Sequence, residues 1–326
     1  MRHEFDLRRA RSHEEAASLL AAEGAMPLGG GTDLLVLIDE NLARPTSLVD
    51  LRSIAGFRRI EATPDGGLRI GAGARVDDLA RHDLVRSQYP ALAQACAAVG
   101  TPALRQMGTI GGNLCQRPRC WYFRRGIACL KNGGSDCPAA DGENQYLSIL
   151  DGGPCYAVHP SDLAVALMAL EAVIEVAGSR SSELRTVPIE SFFVLPTQRL
   201  DAETILGPGE FVSAIVLSAG AVAHSMRSQH YYKAMQRGTW DFALVSLAAV
   251  KRADGNVRLV FGGVAPRPWR APADVEAGVA SGSSSEQAIA EIVQRAFRDA
   301  QPLSGNAYKV DIATALLRSA VRDLTA

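Results

Sequence analysis

The stretch MPLGGGTDLLVLIDE, residues 26–40, reads as a strand, a glycine-rich turn and a helix, and it decides the class of the fold. Upstream, HEEAASLLAAEG (13–24) carries the period of an amphipathic helix closed by Gly24, a favoured residue just past a helix end. Downstream, SLVDL (47–51) is a short apolar strand, so the first 55 residues run β–α–β–α–β. A second unit starts near Gly56: GLRIGAGARVDDLA gives a strand, a turn and a helix start with an Asp pair in its first turn. YPALAQACAAVG is a helix closed by Gly100, and TPALRQMGTIGGNLCQ is expected to be strand-like and Gly-rich. Farther on, SDLAVALMALEAVIEVAG is a helix running into a strand, with Ser161 or Asp162 as its N-cap. From about residue 220 the pattern changes to antiparallel strands around an ADG turn, and two helices, about 285–300 and 308–325, follow. The class is α+β, with a domain boundary at about 218–225 and no internal repeat.

Composition narrows the function classes. The 326 residues are 47 % hydrophobic and 21 % charged, with 34 basic and 35 acidic side chains and a net charge of −1. That balance fits neither a nucleic-acid nor a membrane surface, and no apolar stretch reaches the length of a bilayer span. The opening MRHEFDLRRARSHEEAASLL lacks an apolar signal-peptide core. Reduced thiols and a cytoplasmic location are therefore expected, export within a folded complex on a partner's signal being the alternative.

Two Gly-rich loops, residues 28–33 and 109–113, have the composition of backbone cradles for a diphosphate. Neither matches the G-x-G-x-x-G fingerprint or the P-loop, which argues against a standard NAD or ATP site. One such loop in each α/β half is the pattern expected of a dinucleotide clamped between subdomains.

Cys120, Cys129, Cys137 and Cys155 lie in a Gly-, Pro- and charge-rich stretch with no helix or strand period, separated by eight, seven and seventeen residues. Sulfur donors select zinc, Cu(I) or an iron–sulfur cluster over hard cations. Structural zinc sites usually pair ligands two to four residues apart, a spacing missing here, whereas wide intervals suit the corners of a cuboidal cluster. Zinc and disulfides stay open as alternatives on spacing alone. Cys96, in ALAQACAAVG, reads as a small buried hydrophobe, and Cys115 as structural. Trp121, Tyr122 and Phe123 suit either a shield for the cluster or an anchor for the long loop.

LGGGTDLL, then GTIGGNL, then HPSD before an Ala/Leu-rich helix resemble the FAD-binding subunit of the xanthine dehydrogenase, or molybdenum hydroxylase, family. YYKAMQRGTWDFALVSLAAV and GGVAPRPWR extend the resemblance through the C-terminal part. The cysteine segment resembles the variety with an extra 4Fe–4S cluster, as in aldehyde oxidoreductases and 4-hydroxybenzoyl-CoA reductase. The resemblance implies a two-subdomain FAD-binding domain of the vanillyl-alcohol-oxidase (PCMH) type over 1–220, divided at about 55/56. It places an iron–sulfur insertion at 117–158 and a small α/β C-terminal domain at 221–326.

It also implies roles. Met26, Pro27, Leu28, Gly29, Gly30, Gly31, Thr32, Asp33 and Leu34 would hold the FAD diphosphate through backbone N–H groups, with Thr109, Gly112 and Asn113 on its other side. Gln106 and Gln116 would be polar neighbours, Asp162 would meet the adenosine ribose or a phosphate-side polar group, and Leu206 would pack near the adenine. Lys233 would stand at the pyrimidine edge of the flavin, where a cation favours the reduced anion; outside the family it reads as a solvated strand lysine. Arg237 and Asp241 read as a surface pair. Cys120, Cys129, Cys137 and Cys155 would bind the cluster.

The function implied is electron transfer. A large partner subunit would carry molybdopterin and a small one two 2Fe–2S clusters, with electrons passing through FAD to an external acceptor and no acid–base or nucleophilic machinery in this chain. The alternatives are reversed flow, as in an acyl-CoA reductase, a zinc-stapled scaffold without redox chemistry, and a free-standing flavin oxidase.

Overall fold

Ser12 starts the first helix: its hydroxyl accepts from the Glu15 N–H at 3.1 Å, and the Glu15 carboxylate reaches back to the Arg11 N–H at 2.7 Å. The computed structural model describes residues 4–178, 181–219, 228–252, 254–282 and 285–325. Its first unit comprises β1 (Asp6–Arg9), α1 (His13–Leu20), β2 (Ala25–Leu28), α2 (Leu34–Asp39) and β3 (Ser47–Asp50). β3 lies between the other two strands, parallel to both, with Leu48 and Val49 buried. All four residues of β1 are exposed, and β2 carries Pro27. α1 ends at Leu20 rather than at Gly24, whose positive φ of 73° instead turns the chain into β2.

The second unit contains β4 (Ile60–Ala62), β5 (Leu68–Gly71), α3 (Val76–Arg81), α4 (Asp83–Gln88) and α5 (Pro90–Ala97). It continues through α6 (Pro102–Met107), α7 (Ile110–Leu114), α8 (Trp121–Arg124) and α9 (Asp162–Ala169) to β6 (Val173–Gly178), β7 (Ser181–Pro188) and β8 (Phe211–Leu217). Its strands form an antiparallel sheet in the order β4-β5-β8-β6-β7. The expectation of a strand over residues 101–116 is corrected: two short helices stand there. Thr101 and Thr109 cap them, accepting from Leu104 N–H and Gly112 N–H at 3.2 Å each, and Pro102 occupies the first position of α6.

The third unit holds β9 (Gln229–Ala234), β10 (Val245–Lys251), β11 (Val257–Gly262), β12 (Trp269–Arg270), α10 (Ala273–Ala280), α11 (Glu286–Ala296) and α12 (Tyr308–Thr325). Its antiparallel sheet is buried on both faces, which explains the near-continuous apolar run of β10. Ala248 and Val250 join the core that contains α5 and α9, while Leu247 and Ala249 join the core under α10, α11 and α12. All eight residues of α9 are buried, as suits a helix that is apolar all round. α10 is an addition to the two expected C-terminal helices. Its Gly278 lowers helix propensity but lets α11 approach, since a Cβ there would lie 3.1 Å from Ile292 Cγ1. Most of the 218–225 boundary region lies outside the described residues. Among the described residues no helix is long and apolar enough to cross a membrane.

Candidate functional site

The two Gly-rich loops meet. A Cβ on Gly29 would come within 2.8 Å of Thr109 Oγ1, and one on Gly30 would collide with the carbonyl of Met107 and sit 3.0 Å from Gly108 Cα. Only glycine fits this crossing. Gly30→Ala is therefore expected to cost about 1–3 kcal/mol of stability through overpacking against backbone, measurable as a lower midpoint in calorimetric unfolding.

The loops differ in what they offer. Among the described residues the N–H groups of Gly30, Gly31 and Thr32 find no acceptor. In the second loop, Gly112 N–H is taken by Thr109 Oγ1 and Asn113 N–H by the Thr109 carbonyl at 2.8 Å. The first loop thus presents free donors, and the second wedges beneath it.

From the second loop a polar chain runs on. Ser161 Oγ donates to Asn113 Oδ1 at 2.5 Å and accepts from Ala164 N–H at 2.9 Å, which makes Ser161 the cap of α9. Asp162 is left to use its carboxylate elsewhere: Tyr231 Oη donates to Oδ1 at 2.5 Å and Lys233 Nζ to Oδ2 at 2.8 Å. Burial pushes the Asp162 carboxyl up, and the Lys233 ammonium opposes this. Lys233 also donates to the Ala98 carbonyl at 3.0 Å, with only 4 % of its side chain exposed, so it is not a solvated strand lysine. His159 stacks edge-on against Phe193 with ring centroids 4.7 Å apart, and burial pushes its imidazole down to about 4. It is neutral at pH 7 and serves packing.

Beside this chain opens a cavity of about 650 Å³. Ser161 and Asp162 line it from the second unit, Arg119, Cys120 and Trp121 from the cysteine segment, and Gln236, Phe242 and Gly263 from the third unit. Arg237 and Asp241 pair on its rim at 3.3 Å, Arg237 being 74 % exposed, as a surface pair.

Asp33 turns out to be a hub rather than only part of a backbone cradle. Its carboxylate accepts from Arg117 N–H at 2.9 Å, and pairs with Arg119 and Arg124 at 2.9 and 2.8 Å. Glu203 is a second hub, holding Lys131 at 2.8 Å and Arg117 at 2.6 Å. Burial lowers the Arg119 guanidinium to about 10. Gln116 is buried, its Nε2 donating to the Asn113 carbonyl at 2.9 Å and its Oε1 accepting from Arg119 at 3.2 Å. Gln106 is exposed on α6, and Leu206 is half-buried with its carbonyl 3.3 Å from Arg199. Among the described residues neither joins the polar chain.

All six cysteines are free thiols. Cys96 is fully buried, as a small hydrophobe would be, and burial pushes the half-buried Cys115 up to about 12. The Cys155 thiol donates to Cys137, which brings Cys137 down to about 6 and favours its thiolate, while Cys120 feels both Cys137 and Cys129. Among the described residues no group of three or more His, Cys, Asp or Glu side chains is drawn together as a metal site. Phe123 is the buried anchor of the segment, packed with Leu37 and Cys129. Trp121 stays 38 % exposed, against Tyr146 at 5.4 Å.

Residues 3–217 match the family of FAD binding domains in molybdopterin dehydrogenases, and residues 230–324 match the CO dehydrogenase flavoprotein C-terminal domain. The chain belongs to the FAD-binding subunits of the molybdenum hydroxylase family, and is an oxidoreductase subunit. Among its relatives is the aldehyde oxidoreductase FAD-binding subunit PaoB of Escherichia coli K12, 37 % identical over 99 % of this chain and 98 % of that one. The carbon monoxide dehydrogenase medium chain of Hydrogenophaga pseudoflava is 26 % identical over 97 % of this chain and 96 % of its own length. In fold, the chain superposes on CO dehydrogenase from Oligotropha carboxidovorans with a TM-score of 0.74 at 24 % identity, covering 100 % of this chain and 99 % of that one.

Proposed function

We propose that this chain is the FAD- and 4Fe–4S-carrying electron-transfer subunit of a molybdenum hydroxylase that oxidises aldehydes or N-heterocycles. A large molybdopterin subunit and a small 2Fe–2S subunit would be its partners, and an external acceptor would take the electrons. The observation that carries this reading is the 650 Å³ cavity, walled by the helix start at Ser161–Asp162, by the third unit and by the thiol-bearing segment at Cys120. FAD bound there would lie against the cysteine segment. The similarity to an aldehyde oxidoreductase subunit favours aldehydes as the partner's substrate class.

FAD, when bound, supplies reversible uptake and release of electrons. The chain's own residues bind and exclude water. Residues 26–34 offer the free N–H groups of Gly30, Gly31 and Thr32 to a diphosphate, Thr109, Met107 and Gly108 fix the height of that turn, and Gly112 and Asn113 would stand on the diphosphate's other side. Asp162 holds Lys233 rigid beside the cavity, which keeps a cation near the ring without a mobile side chain. Cys120, Cys129, Cys137 and Cys155 would hold the cluster as four soft sulfur donors on one segment, the donor type such a group takes. Functional labour would divide between units 1–220 and 221–326.

The test is iron, acid-labile sulfide, zinc and FAD content on anaerobically purified protein, with EPR spectra before and after dithionite. About four iron and four sulfide per FAD, with a signal on reduction, are expected for this cofactor set. Zinc without iron would make the segment a staple, and a colourless protein would end the electron-transfer reading.

A further inference from the structure

Four cations crowd the start of the cysteine segment, and two carboxylates answer them. Arg117 and Lys131 bracket Glu203, while Arg119 and Arg124 share Asp33 Oδ1. The four basic side chains are between 4 % and 28 % exposed, so the excess of two positive charges is poorly screened by solvent.

Arg124 donates through Nε and Nη2 to the Pro118 carbonyl at 2.7 Å, the Arg117 carbonyl at 2.9 Å and Asp33, and its Nη1 is buried without a partner, but it does not line the cavity. Arg119 does. Its Nη2 rests on Asp33 and Gln116, but its Nε–H is buried with no acceptor. Its guanidinium lies 4.9 Å from the Phe242 ring centre and forms part of the cavity wall. A buried charged donor without a partner is costly, and the cost is removed when an anion takes it.

We infer that Arg119 is a flavin-binding residue whose Nε–H and charge are taken by the diphosphate of FAD. This rests on the FAD reading above and adds a side chain from the cysteine segment to the backbone cradle. The diphosphate is the ligand chemistry that fits. Its two negative charges equal the local excess, its oxygens match the planar guanidinium fork, and Asp33 ties Arg119 directly to the turn whose N–H groups are free. Retention of the flavin then depends on the order of the cysteine segment.

The test uses the full chain, depleted of flavin, as wild type, Arg119→Gln and Arg119→Lys. ADP, a diphosphate without the flavin ring, and FAD are titrated calorimetrically at two salt concentrations. A charge-assisted hydrogen bond is worth about 1.5–3 kcal/mol, so Arg119→Gln should weaken both ligands about 10- to 100-fold and flatten the salt dependence, with Arg119→Lys recovering part. Unchanged ADP affinity in a folded Arg119→Gln protein overturns the inference, and so does loss of FAD binding with ADP binding intact, which would place Arg119 at the ring. If Arg119→Gln fails to fold, Arg119→Lys decides: full wild-type affinity for both ligands overturns the inference, since a lysine cannot reproduce the fork. A wild-type chain that takes up no FAD overturns the FAD reading itself.

Discussion

Lys233→Met is expected to cost about 3–5 kcal/mol of folding stability, because it leaves the Asp162 carboxylate buried without its counter-ion. Asp162 is 5 % exposed, and its remaining side-chain partner is Tyr231 at 2.5 Å. In thermal unfolding this should appear as a drop on the order of 10 °C. The deficit depends on pH with a definite sign. Burial already raises the folded-state carboxyl above 3.8, and loss of the lysine raises it further. A group with a raised folded pKa contributes stability below its unfolded value and loses it as pH rises through the folded value. The variant should therefore approach the wild type towards pH 4 and fall away from it towards pH 7. The double variant Lys233→Met/Asp162→Asn should recover much of the loss, since it removes the unpaired charge. A pH-independent deficit of under 1 kcal/mol would mean that the pair is not buried as described.

Asp33→Ala is expected to loosen one stretch of chain rather than the whole molecule. The carboxylate it removes holds the Arg117 N–H and two guanidinium groups, and its own side chain is 14 % exposed. Two partly buried cations would be left repelling each other. A global cost of about 2–4 kcal/mol follows from the unpaired charges, with a larger local effect because the segment has little core of its own beyond Phe123 and Cys129. Limited trypsin digestion would read this out: cleavage after Arg124, Arg125 or Lys131 should accelerate at least tenfold by local opening worth ~1.4 kcal/mol or more. Equal digestion rates would show that Glu203 and Phe123 suffice to hold the segment.

Elements whose cause is local could be read from sequence. The Gly29–Gly31 turn, the apolar helix after HPSD and the apolar run of β10 each carry their own composition or turn chemistry. The helices at 102–107 and 110–114 could not, because six- and five-residue helices show less than two turns of periodicity, and the glycines of α7 mask its capping by Thr109. The site was legible in its glycines and its serine cap but not in its ion pairs. Asp33 reaches Arg124 across 91 positions, and Asp162 reaches Lys233 across 71, and nothing near either residue announces the partner. The basic run QRPRC, residues 116–120, shows two arginines and no acid to pair with them. The acidic signal that completes it, Asp33, sits inside a motif already explained by backbone geometry.

The three-stranded parallel sheet has one more implication, for assembly. Both of its outer strands are guarded: β1 carries Asp6, Arg8 and Arg9 along an entirely exposed run, and Pro27 removes a donor from β2. Strand addition from a neighbouring chain would bury those charges on one side and meet a missing N–H on the other. Edge-to-edge polymerisation through this sheet is thereby disfavoured.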